Sequence, residues 1–223
     1  EKGNIPLAVN SMEELFTHCN AFMVLQRRGG EHLKYAAEII RRGYPVFIDK
    51  PVCCSTADVK ELQSLALEHN AIICGGSGLK YCKQVVSLKR QMQEAALGEI
   101  KGATISHSAD IESPYDGIFF YLPHSVEVML ELFGYNPVSV NTTVLSHNIF
   151  TVSVKYDRYM VNLDINGSAS CIVTINGKNS DIIQINDSDI FIESMRHFIE
   201  SIHQQEIAKE TTYLTRHVEV ILA

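Results

Sequence analysis

Two side chains of this sequence lie where they could act on a substrate hydroxyl group. Lys50 ends the apolar run Pro45–Asp49, which predicts a buried strand, and Pro51 follows it directly. Open α/β sheets bind their ligands outside the carboxyl ends of the strands. An ammonium group there would donate hydrogen bonds and lower the pKa of a bound hydroxyl group. Taken alone, a lysine at a strand end is more often an ordinary solvated side chain.

The second candidate, His124, follows the aromatic segment Phe119–Tyr121 and begins a predicted helix. The helix dipole disfavours added positive charge near a helix N-terminus, so the imidazole tends toward its neutral form. Neutral imidazole can accept a proton from an alcohol. An isolated histidine here is more often a capping or packing residue. We therefore expect the hypothesis to hold only if Lys50 and His124 converge on one cleft between two domains.

The first third of the chain alternates strand and helix patterns with short connections, which predicts right-handed crossovers and a parallel sheet. The short continuous apolar runs are typical of strands that are buried on both faces. Ser11 with Glu14, and Ser55 with Asp58, have the spacing of helix-capping pairs. The predicted elements are helix Met12–Thr17, strand Ala21–Leu25, helix Glu31–Arg42, strand Pro45–Asp49, helix Ser55–His69 and strand Ala71–Cys74, which is closed by Gly75 and Gly76.

After Gly78 the pattern becomes mostly antiparallel, because several short strand patterns follow one another with Asn-Gly hairpin signals at Asn166 and Asn176. The predicted helices are Leu79–Leu97, Pro123–Phe133, Ile190–His203 with Asp187 or Ser188 as its cap, and Tyr213–Ile221. The predicted strands are Lys101–Ala109, Val138–Leu145, Phe150–Tyr156, Tyr159–Ile165, Ala169–Ile175 and Asp181–Ile185.

These patterns predict an α/β protein of two domains. Residues 1–76 would form a domain with a parallel sheet, and residues 77–223 an α+β domain with a large, mostly antiparallel sheet. Helices can cover one face of such a sheet, so the other face is a candidate interface between subunits. We therefore expect a homodimer or homotetramer that associates through the C-terminal sheet.

Composition excludes several classes of function. The formal net charge of −7 argues against a nucleic-acid or anionic-membrane surface, which would need clustered lysine and arginine. No apolar run approaches the length that spans a bilayer. The six cysteines and nine histidines have no metal-ligand or disulfide spacing, so we expect no metal and free thiols in a reducing cytoplasm.

An ordered series of segments resembles the glucose-fructose oxidoreductase and inositol dehydrogenase family (Gfo/Idh/MocA). The segment Tyr44–Pro51 is similar to the Glu-Lys-Pro segment of that family, and Ala71–Gly76 to its last nucleotide-domain strand. Residues 22–32 resemble its strand, dinucleotide-contacting loop and helix-start histidine. Residues 88–101 resemble a family helix end and strand entry, and Gly117–Gly134 its substrate-site helix. No single motif is very specific, but the series covers essentially the whole chain in order.

The resemblance implies that residues 1–76 are the C-terminal half of a Rossmann dinucleotide-binding domain and that residues 77–223 bind substrate and mediate oligomerisation. It also implies hydride transfer between NAD or NADP and a hydroxyl carbon of a sugar, polyol or related compound. By position, Lys50 would bind the substrate hydroxyl group and His124 would be its acid/base. The side chains implied at the cofactor are Gln26, Arg27, His32, Asp49 and Pro51. Our candidates for substrate contact are Lys80 and Tyr121, although Lys80 fits the protein surface equally well.

Three departures from the family pattern favour an alternative. Asp49 stands where the family usually has Glu, and Phe120 where it usually has Asp. The glycine fingerprint G-x-G-x-x-G, whose helix holds the pyrophosphate, is absent. We expect either that the chain is a piece of a longer one or that it does not hold a dinucleotide in the usual way. The alternative function is therefore a catalytically inactive relative that binds a ligand or serves as a structural subunit.

Overall fold

The first sheet has three parallel strands, as the alternating pattern predicts. The computed structural model describes residues 5–205 and 211–223, without the side chains of residues 211–213. The strand order is β1-β2-β3, and both pairings are parallel. The elements of this part are α1 (Met12–Phe16), β1 (Phe22–Val24), α2 (His32–Arg41), β2 (Val46–Asp49), α3 (Thr56–Glu68) and β3 (Ile73–Gly76).

Both predicted capping pairs are present. The Ser11 side chain accepts a hydrogen bond from the Glu14 backbone N–H at the start of α1, and Ser55 accepts one from Asp58 at the start of α3. Each hydroxyl satisfies a backbone donor that has no partner inside its helix. Burial of β1 differs from the prediction, because Met23 is 45% exposed.

Strand β3 runs further than predicted, since Gly75 and Gly76 belong to the strand instead of closing it. The reason is a close approach of two backbones. A Cβ atom at Gly75 would lie 1.9 Å from the Ile48 carbonyl oxygen of β2. Glycine therefore lets β3 pair with β2 as far as Asp49.

The long helix predicted over Leu79–Leu97 is wrong at both ends. A 3-10 turn at Gly78–Tyr81 comes first, and α4 spans Lys83–Gln93. Cys82, with ψ of 142°, has extended backbone geometry and separates the two. Ala95, with φ of 54°, lies in the left-handed region just after the helix.

The second sheet has six strands in the order β5-β6-β7-β4-β8-β9. All its pairings are antiparallel except that of β4 with β7. The Asn166-Gly167 hairpin prediction is wrong, because β4 lies between β7 and β8. The strands are β4 (Ile100–His107), β5 (Ser139–Ser146), β6 (Ile149–Lys155), β7 (Met160–Ile165), β8 (Ile172–Gly177) and β9 (Asp181–Gln184).

The two faces of this sheet differ in chemistry. Ile105, Leu163 and Val173 lie on the inner face, in one hydrophobic cluster with helix α5 (Leu122–Phe133). On the outer face Thr104 and Asn162 are partly exposed and pair across β4 and β7. The alternation of polar and apolar residues along each strand therefore separates a core face from a polar face.

Two C-terminal helices return to the first sheet. On one face Phe198 of α6 (Ile190–Gln204) packs against Phe47 of β2. On the other face Leu214 of α7 (Thr211–Leu222) joins the cluster that contains Ile48. The boundary predicted at residue 76 stays a prediction, and the segment that follows it supplies helices to both faces of this sheet.

The start of α6 also differs from the prediction. The residue at its N-cap is Asp189, and its side chain makes no capping hydrogen bond. None of the described helices is both long and apolar enough to cross a membrane.

Candidate active site

Lys50 lies directly after β2, at the carboxyl end of the parallel sheet. Its Nζ donates a hydrogen bond to the Phe120 backbone carbonyl at 2.7 Å and lies 3.8 Å from the centre of the Phe120 ring. Burial lowers the pKa of Lys50, and the neighbouring Asp49 carboxylate opposes that shift. The ammonium group is thus fixed by a carbonyl and an aromatic face.

Asp49, the last residue of β2, shares this environment. Burial raises the pKa of its carboxyl group, while the Lys50 backbone N–H and the Lys50 ammonium act in the opposite direction. The carboxylate and the ammonium therefore limit each other's shifts.

His124 lies in the first turn of α5, one residue after Pro123. Its Nδ1 is 2.7 Å from the Ser77 hydroxyl oxygen, and its ring meets the His107 ring edge-on with centroids 5.9 Å apart. Burial, with the nearby positive charge of Lys50, lowers the pKa of His124 to about 3. The imidazole is therefore neutral at physiological pH, as the sequence predicts.

One cavity of about 770 Å³ contains both Lys50 and His124 on its wall. That volume lies in the usual range of small-molecule sites. The structure thus brings together the two residues that the sequence singled out. The wall also includes Met23, Leu25, Asp49, Gly76, His107, Tyr121, Ser170, Asp187, Ile190 and Phe191.

The residues expected at a cofactor are divided between the cavity and the adjoining loop. Asp49 lines the cavity. Arg27 donates a hydrogen bond to the Tyr115 hydroxyl at 3.3 Å and stacks on its ring. His32 is fully buried, and its Nε2–H donates to the Gln26 backbone carbonyl at 2.7 Å.

Pro51 packs against the same loop, because a Cβ atom at Gly29 would lie 2.3 Å from its ring. The residues that line the cavity do not include Gln26, Arg27, His32 or Pro51. The Gln26–His32 hydrogen bond holds the shape of the loop that follows β1, Arg27 joins that loop to Tyr115, and Pro51 packs against it just after β2.

Tyr121 lies on the cavity wall and is 40% exposed, so a substrate could contact it. Lys80 lies neither at the cavity nor on the protein surface, the two places that the sequence analysis considered. It is only 4% exposed, and its Nζ binds the Gly75 carbonyl at 2.8 Å and the Glu127 carboxylate at 3.2 Å. Lys80 therefore joins β3 to α5 behind the cavity.

Ser77 and His107 were not singled out from the sequence, and Asp187 was considered there only as a helix cap. Ser77 directly follows the glycine pair of β3 and is fully buried. His107 ends β4, and burial lowers its pKa while Asp187 opposes the shift. A polar residue at the end of an apolar strand was the available signal in both cases. Among the described residues no group of histidine, cysteine and acidic side chains could hold a metal ion.

Family models and solved structures include proteins that are similar to this chain. Residues 1–77 match the model of the family described as "Oxidoreductase family, NAD-binding Rossmann fold" (GFO_IDH_MocA). Over these 77 residues, about a third of the chain, the sequence is similar to the Gfo/Idh/MocA family. The sequence has no match among curated proteins.

Solved structures of inositol dehydrogenases and other oxidoreductases share the fold. A myo-inositol dehydrogenase from Corynebacterium glutamicum superposes with a TM-score of 0.79 at 12% identity, covering 99% of this chain and 83% of that one. UDP-N-acetylglucosamine 3-dehydrogenase GnnA from Acidithiobacillus ferrooxidans gives 0.78 at 14% identity, with 97% and 80% covered. GenD2 from gentamicin A biosynthesis, in complex with NAD, gives 0.76 at 13% identity, with 95% and 78% covered. At these identities the likeness concerns the fold.

Proposed function

We propose that this protein is an oxidoreductase that transfers a hydride between NAD or NADP and a hydroxyl carbon of a sugar, polyol or related compound. The observation that carries the proposal is the presence of Lys50 and His124 on one cavity wall, at the carboxyl end of a parallel sheet. The family match over residues 1–77 and the dehydrogenases that share the fold support it.

The residues present fit the reactive end of a nicotinamide cofactor. Met23 and Leu25 at the end of β1 are 45% and 55% exposed although they line the cavity, so a flat ring could cover apolar surface there. Asp49 and Gly76 belong to the same wall at the ends of β2 and β3. When bound, the cofactor would supply or take the hydride. The chain carries no glycine fingerprint for the pyrophosphate.

The chain's own residues would bind and polarise the reacting oxygen. The Lys50 ammonium would donate a hydrogen bond to that oxygen and stabilise negative charge on it. His124 would contact the same oxygen, and the family resemblance assigns the proton exchange to it. Tyr121 would contact the rest of the substrate at the open side of the cavity. The apolar wall would keep water away from the reacting carbon.

The test compares Lys50→Met and His124→Asn with Lys60→Met, a control on the exposed surface of α3. Each is assayed with a panel of polyols and sugars and with NAD and NADP. Loss of a positioned proton-transfer or charge-stabilising group should lower kcat by about 100-fold or more, with the control unchanged. Full turnover in both site variants would refute the assignment.

The second candidate function is a catalytically inactive ligand-binding or structural subunit. Its support is Phe120, whose ring lies against Lys50 where the family usually has a carboxylate, together with the missing fingerprint. Calorimetry with NADH and NADPH separates the two candidates. Tight binding of either cofactor favours the oxidoreductase, and no heat with either one favours the inactive subunit.

We also propose a homodimer or homotetramer that forms through the outer face of the six-stranded sheet, in the cytoplasm. The interface is supported by a partly exposed polar row, which consists of Asn162 on β7, Thr104 on β4 and Thr174 on β8. Supporting the compartment, the six cysteines are free thiols.

A further inference from the structure

The hydroxyl group of Ser77 makes an unusual pair of contacts at the end of β3. Ser77 is fully buried, and its Oγ accepts a hydrogen bond from the Leu79 backbone N–H at 3.2 Å. The same oxygen lies 2.7 Å from Nδ1 of His124. These are the hydrogen bonds that Ser77 makes with the described residues.

The donors and acceptors of this group decide where its proton points. A serine hydroxyl has one proton to donate and two lone pairs that accept. The Leu79 N–H can only donate, so it occupies a lone pair. Among the described residues, the acceptor within reach of the Ser77 proton is therefore Nδ1 of His124. If Nδ1 carried a proton instead, the Ser77 proton would be buried without a partner, which is costly.

We infer that Ser77 is a positioning residue that holds neutral His124 as the tautomer with its proton on Nε2. Nε2 has no hydrogen-bond partner among the described residues, and the ring lines the cavity. The free nitrogen would then be a hydrogen-bond donor toward a bound molecule. This part of the inference depends on the geometry of two side chains and one backbone N–H group, and not on any activity.

The consequence for the reaction rests on the proposed function. The Nε2–H group and the Lys50 ammonium lie on one cavity wall. If both reach one substrate oxygen, they would offer it two donors, which suits a carbonyl group better than a hydroxyl group. A neutral imidazole that lost its Nε2 proton would become an imidazolate, so it is a poor proton donor. In carbonyl reduction the carbon would gain a hydride from the reduced cofactor, and the oxygen would take a proton from Lys50 and not from His124, to which the family resemblance assigns it. The resulting neutral amine regains its proton from water, and His124 stabilises the developing charge by a hydrogen bond.

The test is a nitrogen NMR spectrum of the full chain with ¹⁵N-labelled histidine at neutral pH, in which His124 is assigned by the loss of its signals in His124→Gln. The expected result is an Nε2 signal of the protonated type and an Nδ1 signal of the unprotonated type. Because an unpaired buried hydroxyl proton is disfavoured, we expect the Nε2–H form to exceed the other about tenfold. A protonated Nδ1 or an imidazolium ring in the wild-type spectrum would be sufficient to overturn the inference.

Ser77→Ala and Ser125→Ala form a matched pair. Ser125 is also fully buried and is the next residue after His124, but its Oγ has no hydrogen-bond partner among the described residues. We expect Ser77→Ala to shift the Nδ1 signal and make the Nδ1–H form detectable, with Ser125→Ala leaving the His124 signals in place. Equal shifts in both variants, or none in either, would contradict a specific role of Ser77.

Kinetics adds a second readout. Removal of one orienting hydrogen bond should lower kcat for carbonyl reduction about fivefold in Ser77→Ala, with a smaller change in the KM of the cofactor. If the spectra show the Nε2–H form but NADH and NADPH do not bind, the tautomer inference stands and the proposed function fails. If turnover is normal but Nδ1 is protonated, the proposed function stands and the tautomer inference fails.

Discussion

The buried ion pair between Lys80 and Glu127 offers a sharp test of how the first sheet is joined to α5. Lys80 is 4% exposed and Glu127 is 1% exposed. Removal of one partner leaves the other charge buried without its counterion. The substitutions are Lys80→Met and Glu127→Leu, alone and together, because each keeps a similar side-chain volume.

The magnitude follows from the distance between the charges. At 3.2 Å, and at an effective dielectric constant of about 20, the attraction between Lys80 Nζ and Glu127 Oε2 is about 5 kcal/mol. Loss of water from both groups offsets most of this, so the pair contributes little net stability. Breaking it from one side should cost about 3–5 kcal/mol, whereas replacing both partners should cost far less.

The assay is urea unfolding of all four proteins, followed by circular dichroism at neutral pH. We expect each single variant to lower the free energy of unfolding strongly and the double variant to recover most of that loss. Single variants within about 1 kcal/mol of wild type, the range of an exposed pair, would refute the reasoning. So would a double variant as unstable as the sum of the singles, because the two losses would then be independent.

Three further predictions concern acid stability, assembly and the environment of Lys50. Burial lowers the pKa of His124 and His217, so below pH 6.5 the unfolded chain binds protons that the native chain does not. The free energy of unfolding, measured by chemical denaturation, should therefore fall with acidification, by up to about 1.4 kcal/mol per pH unit for each histidine. If the outer sheet face is an interface, Asn162→Arg should lower the mass measured by light scattering, and an unchanged mass would exclude that face. Phe120→Asp should raise the pKa of Lys50, measured by NMR of its Nζ, by about one unit or more, because a carboxylate would replace the aromatic face that now meets the ammonium; a constant or lower pKa would contradict this.

Local signals predicted the first sheet well. The apolar runs around Met23, Phe47 and Ile73 form its three strands, and Ser11 and Ser55 cap helices as their spacing indicates. These features depend on neighbours within a few residues, which a sequence shows directly.

Non-local pairing produced the errors in the second sheet. Asn166-Gly167 has the chemistry of a hairpin turn, yet β4, which lies more than fifty residues earlier in the chain, separates β7 from β8. A turn signal describes the bend of the chain, and it carries no information about a third strand that enters between the two. The extension of β3 through Gly75 has the same origin, since the contact that requires glycine comes from β2.

The family resemblance paired Lys50 with His124, whereas the sequence by itself determined the parallel strand-helix alternation and the polar and apolar faces of the later strands. Those conclusions follow from the periodicity of burial and from residue types at element ends. The tertiary structure decided that Lys80 faces Glu127 and not the cavity, that α6 and α7 cover the first sheet, and that Ser77 reaches His124. The physical reason is that each of these contacts joins elements distant along the chain, and which buried donor meets which acceptor is set by packing in three dimensions.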